Sequence, residues 1–195
     1  MALKPTVPRE LLTRRTITCE GYLREDGLID IEGHLVDIRG YDMNNGWRGP
    51  LPAGAAAHDM WARITIDDEL TIVAAQSATD SAPYPTCSEV TPNTGRLVGV
   101  KVIGGFKRRL HELIGSTRGC THIVALFEVM STVAIQTLAG KRRTLPPDVQ
   151  LSIFGVRDPT RPALIDTCHS YAADGPVTAR MWPLHFQPKV SDSGG

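Results

Sequence analysis

The stretch from Thr121 to Leu138 most constrains what this chain can fold into. Ile123, Leu126, Phe127, Met130, Val133, Ile135 and Leu138 spread apolar side chains nearly all round a helix. Such a helix has to be covered on most of its circumference and belongs at the centre of a domain.

The cover is predicted upstream. Arg14–Tyr22 (RRTITCEGY) alternates and is rich in β-branched residues, the pattern of a strand. Glu25-Asp26-Gly27 is a turn signal. Leu28–Asp37 then sets Leu28, Asp30 and Glu32 against Ile29 and Ile31, so it reads as the returning strand of a hairpin. Residues 40–57 are rich in glycine and proline and are expected as a loop. A second hairpin is expected from Met60–Ile66 and Leu70–Ala78, with Asp67-Asp68 between them. Residues 79–96 are turn-rich. Phe106, Leu110, Leu113 and Ile114 share one face of a shorter helix over Phe106–Ile114. Gly115–Gly119 separates it from the long helix, which Gly140 and Lys141-Arg142-Arg143 close.

Strands first and helices afterwards imply an α+β fold with an antiparallel sheet packed on the central helix. Val149–Val156, Ala163–Tyr171 and Pro176–Trp182 are expected as strands of a short β-rich extension. The boundaries expected are a flexible arm over 1–13, one domain over 14–187 and a disordered tail over 188–195.

With 195 residues and 42% hydrophobic content the chain can build a proper core. Lys+Arg and Asp+Glu both number 21, and this neutral balance argues against nucleic acid or an anionic membrane as the main partner. The short basic runs Lys107-Arg108-Arg109 and Lys141-Arg142-Arg143 read as solvated helix surface. No apolar stretch is expected to reach the roughly 18 residues that span a bilayer, and no apolar segment of a secretory signal opens the chain. The cytoplasm is the expected location. Cys19, Cys87, Cys120 and Cys168 are then reduced thiols or ligands rather than disulfides.

The chemistry-bearing feature is Gly119-Cys120-Thr121-His122 at the start of the long helix. A thiol and an imidazole two residues apart make half of a tetrahedral metal site, and the helix dipole favours the thiolate. His58 stands immediately before a predicted strand and Cys87 in the loop after the following one. Three loops can therefore converge at one sheet end. Two thiolates and two imidazoles suit zinc and also ferrous iron. Asp59 is the candidate proton shuttle. Arg24, with Asp26 and Asp30 at the first turn, can meet a carboxylate or phenolate substrate. Cys168 and His169 are further possible ligands. Trp47, Tyr84 and Trp182 lie in or near loops, where aromatics can line a pocket.

The stretches RTITCEGYLREDGLIDIEGHLVD, HDMWARITID, PYPTC, GGF and GCTH resemble a bacterial family known as domain of unknown function 2889, from about Arg14 to Trp182. That family name implies no activity. The order of elements also resembles the U-type iron–sulfur assembly scaffold. That resemblance implies His58 in place of the scaffold's first cysteine, Cys87 as its second, and Cys120 with His122 for its His-Cys pair. One thiolate is thereby replaced by an imidazole, which suits a retained metal better than a cluster built for transfer.

Gly104-Gly105 lacks the glycine spacing of a phosphate loop, and neither a Gly-x-Ser-x-Gly elbow nor a His-Glu-x-x-His motif occurs. Three functions follow. The first is a zinc- or iron-dependent lyase or hydrolase acting on a small organic acid or aromatic compound. The second is a non-catalytic metal or iron–sulfur protein. The third is a partner-binding domain with buried thiols, and homo-oligomers are compatible with any of them. Cys120 activated by His122 or His58 also permits thiol catalysis without a metal.

Overall fold

The computed structural model describes residues 6–144, 161–162 and 164–188. Its strands are β1 (Thr13–Leu23), β2 (Ile29–Arg39), β3 (Met43–Asn45), β4 (Gly49–Leu51), β5 (Ala56–Ile66) and β6 (Ile72–Ser81). Its helices are α1 (Phe106–Ile114), α2 (Thr121–Lys141) and α3 (Pro176–Met181). The fold is α+β. A four-stranded antiparallel sheet runs in the order β1-β2-β5-β6, and α2 packs on one of its faces.

The packing follows from the alternation. Ile29, Ile31 and Leu35 of β2 and Met60, Ala62, Ile64 and Ile66 of β5 point to one face and are buried. Ile123, Leu126, Phe127, Met130 and Ala134 of α2 meet them in one cluster. At about 25 cal/mol per Å² of apolar surface, burying each such side chain stabilises the fold by roughly 1.5–3 kcal/mol before entropy is set against it. Gly33 lets the helix come close: a Cβ there would lie 2.8 Å from both Leu126 Cδ1 and Met130 Sδ.

Several boundaries differ from those expected. The 40–57 segment contains the β3–β4 ribbon, and β5 begins at Ala56, so His58 lies inside a strand. Pro176–Trp182, expected as a strand, forms α3 with Trp182 as its C-cap. Gly175 and a proline at the first helical position open it. Residues 164–171 form turns and a 3₁₀ turn rather than a strand, because Asp166 accepts from the Ala173 amide and closes the segment on itself. The expected strand Val149–Val156 lies outside the described residues. By length and composition α2 is apolar enough to cross a membrane, contrary to the expectation; here its buried face packs on the sheet.

The chain divides into two compact units, Met1–Leu138 and Ala139–Gly195. Within the second, Tyr171 meets Trp182 edge to face at 5.3 Å. The sheet, α1 and most of α2 belong to the first.

Candidate metal centre

Asp37 continues the inward-facing series of β2, and antiparallel register sets it directly opposite His58 of β5. Both are buried, Asp37 with 2% and His58 with 8% of its surface exposed. His122 comes down on them from the first turn of α2. His58 Nδ1 lies 3.0 Å from Asp37 Oδ2 and His122 Nε2 lies 3.6 Å from the same oxygen. The two imidazoles stack with centroids 3.8 Å apart at 29°. One donor atom from each of the three residues falls within 4.8 Å of the others.

Arg15 of β1 faces the same way as Asp37, its register partner. Its Nε and Nη2 donate to the two carboxylate oxygens at 2.7 and 2.8 Å. Burial works to raise the Asp37 carboxyl. The Arg15 hydrogen bond and charge, helped by His58 and His122, outweigh it and hold the group below the usual carboxylate value. Burial lowers His58, although Asp37 pulls the other way. Burial lowers His122 too, and the neighbouring His58 and Arg15 add to it. Two neutral imidazoles beside an ionised carboxylate are the protonation states that a metal ligand set requires.

Cys120 directly precedes α2, and its carbonyl accepts from the Val124 amide. Its Sγ lies 3.6 Å from His122 Nδ1 and 4.0 Å from Met60 Sδ. The thiol thus meets the His122 ring nitrogen other than the one that faces Asp37. Ligand atoms 2.0–2.2 Å from a tetrahedral ion are about 3.4 Å apart. The three donor atoms, all within 4.8 Å of one another, would have to draw closer around an ion.

The expected ligands thus divide. His58 and His122 come together, and Cys120 adjoins them. Cys87 lies in the 3₁₀ turn Pro85–Ser88 and joins no group of mutually close ligands among the described residues. Cys168 and His169 belong to the second unit, where Cys168 is exposed and His169 opens a 3₁₀ turn.

The two candidate catalytic residues fall elsewhere. Asp59 follows His58 in a strand and so points to the opposite face. It accepts from His34 Nε2 at 2.7 Å, and the His34 ring stacks on Trp61 at 3.7 Å. Arg24 is bound to Asp26 and Asp30 at the β1–β2 turn. Asp30 and Asp37 are seven strand residues apart, about 23 Å, so Arg24 stands at the far end of the sheet.

Asp37 and Arg15 were not anticipated. Their signal is the phase of the alternation: an acid in the series Ile29, Ile31, Leu35, and a base in the series with Ile17 and Cys19. A charged residue on an inward-facing position calls for a partner.

A cavity of about 230 Å³ is lined by Trp47, Arg48, Thr79, Ala82 and Tyr84 among others, with none of the three cluster residues in its lining. Arg48 Nη1 donates to the carbonyls of Ala56 and Ala57, the two residues before His58. Thr79 is the register partner of Met60, which touches Cys120. The Thr79 hydroxyl is buried without a hydrogen-bond partner.

Residues 13–136 match a family described as Protein of unknown function (DUF2889). The chain belongs to this family. The match ends close to the boundary of the first compact unit, so the family's region holds the whole Asp37–His58–His122 cluster. No curated protein and no solved structure matches the chain. The expected likeness to the U-type scaffold is not shown by any of these comparisons.

Proposed function

We propose that this protein binds a zinc or ferrous ion through Asp37, His58 and His122, with Cys120 bordering the set. The carrying observation is the convergence of two imidazoles and a carboxylate from three separate elements, with Asp37 and His58 buried and His122 half-buried. Two histidines and one carboxylate are a normal donor set for catalytic zinc and for non-haem ferrous iron. One thiol among them is poor provision for an iron–sulfur cluster.

Bound there, a divalent ion supplies Lewis-acid chemistry and lowers the pKa of water. The chain's own residues do the rest. Arg15 fixes the Asp37 carboxylate and keeps it ionised. The cavity walled by Trp47 and Tyr84 receives an aromatic or small apolar body, and Arg48 offers charge to an acid group. The reading is a lyase or hydrolase for a small organic or aromatic acid.

Elemental analysis of the purified protein tests this, together with zinc and ferrous titrations of the wild type and of His58→Ala and Asp37→Asn. About one ion per chain is expected, with at least a tenfold loss of affinity in each variant. No stoichiometric metal, or unchanged binding in both variants, would sink the proposal.

A second reading has its own observation. Cys120 Sγ, His122 and Asp37 form a chain of 3.6 Å steps, the order of a nucleophile, its base and the group that orients the base. It predicts that iodoacetamide alkylates Cys120 faster than Cys87, and that His122→Ala abolishes the difference. Equal rates would refute it.

A further inference from the structure

At the opposite end of the sheet from the metal cluster, the segment after the 3₁₀ turn Thr91–Leu97 runs back along the start of β6. Gly99 donates to Ile72 O at 2.8 Å, Ile72 donates to Val100 O at 2.9 Å, and Val102 donates to Leu70 O at 2.8 Å. Thr71 and Lys101 form an isolated bridge. The segment is thereby pinned, and it walls a cavity of about 380 Å³ with α1 on the other side. That volume is within the range of small-molecule sites.

The lining has two parts. Val98, Val100, Ile103 and Leu113 give it apolar walls, and Arg96, Lys101, Arg108 and Arg109 give it charge. No carboxylate contributes to the lining. Acids outside the lining share part of this charge: Glu69 pairs with Lys101 at 2.9 Å, the Lys101 charge also acts on Asp67, and Glu112 pairs with both Arg108 and Arg109 at 3.4 and 3.1 Å. Among the described residues three carboxylates thus meet four cations, so the site keeps an excess of positive charge. Gly104 and Gly105, both with positive φ, turn the chain into α1. Gly105 is its N-cap, with no side chain capping the first amides and no acid in the first turn. The Arg108 guanidinium reaches back to 3.9 Å from where a Gly105 Cβ would stand. Three guanidiniums, one ammonium and the start of α1 thus line one cavity.

We infer that this cavity binds a phosphorylated small molecule with an apolar or aromatic body. Several cations lining one cavity suit a dianion with three acceptor oxygens better than a single carboxylate. The valine, isoleucine and leucine walls give the remainder of the ligand a surface to cover. The run Lys107-Arg108-Arg109, which reads in the sequence as solvated surface, is in part the rim of a site. Binding here is independent of the metal reading, because Ile72 and Thr79 are separated by seven residues of β6, about 23 Å.

Phenyl phosphate, inorganic phosphate and phenol are the probes. Each is titrated into the full-length protein by calorimetry, with amide shifts of Gly104, Gly105 and Phe106 followed by NMR. Saturable binding of phenyl phosphate is expected, about tenfold or more tighter than that of inorganic phosphate or phenol, and weakened by added salt. Arg96→Gln combined with Arg109→Gln should weaken it at least about tenfold. Both side chains are exposed, and an unchanged circular dichroism spectrum shows that the variant folds. Val98→Asp is a second variant that should lose binding through the apolar wall. No saturable binding, shifts confined to other residues, or equal affinity for phenyl and inorganic phosphate would each overturn the inference.

Discussion

Asp37 is the residue on which the first unit's chemistry turns. It is a buried carboxylate held by one guanidinium and approached by two imidazoles. Arg15→Ala leaves that charge with only neutral neighbours, which costs the desolvation that the pair offsets. Arg15 is itself partly exposed, so the loss is set at about 1–2 kcal/mol rather than the larger figure of a fully buried pair. Urea unfolding at pH 7 measures it, and an unchanged midpoint would contradict the account.

The same residues fix the acid side of the stability curve. His58 and His122 are lowered in the folded state, so below about pH 6.5 the unfolded chain holds more protons and stability falls. Asp37 is lowered as well, so its contribution is present above about pH 4 and is lost as pH falls through its folded value. Thermal melts should show a decline beginning near pH 6.5 and a steeper one below 4. Replacing both histidines with glutamine should remove the first and leave the second. Sequence spacing pointed to His58 and His122 because imidazoles beside strand and helix starts are visible locally. Asp37 and Arg15 were hidden because their pairing depends on which face of two strands turns inward.

At the scale of elements, the alternation in β2 and the apolar circumference of α2 were enough to specify an antiparallel sheet with a helix across it. They did not specify where β5 begins. Ala55-Ala56-Ala57 gives no periodic signal, and the strand starts at Ala56 because β2 extends to Arg39 and supplies partners that far. That shift carries His58 from a loop into the core and sends Asp59 to the other face. The tail failed differently: Pro176 reads as a strand opener in an apolar run, yet after Gly175 it is also a favoured first helical residue. The seat of α2 on the sheet makes its own prediction. Gly33 is the gap that admits Leu126 and Met130. Gly33→Val should therefore cost about 2 kcal/mol or more through overpacking, despite the better strand propensity of valine. Chemical denaturation decides it, and a stabilised variant would show that the contact is loose.

For the whole molecule, one boundary organises the rest. The family match over residues 13–136 and the first compact unit, Met1–Leu138, end almost together. The sheet, the Asp37–His58–His122 cluster, the cavity lined by Trp47 and Tyr84 and the cationic cavity all belong to that unit. A domain with its own core is expected to fold alone. A fragment comprising residues 1–141 keeps α2 entire and retains Asp37, His58, Cys120 and His122. It should unfold cooperatively and bind zinc within about threefold of the full chain, since distant and unconnected parts contribute additively. Full-length protein and fragment compared by calorimetry and zinc titration make the test. A fragment that folds but binds no metal, while the full chain does, would mean that the second unit contributes a ligand. Cys168 and His169 would then be the first residues to replace.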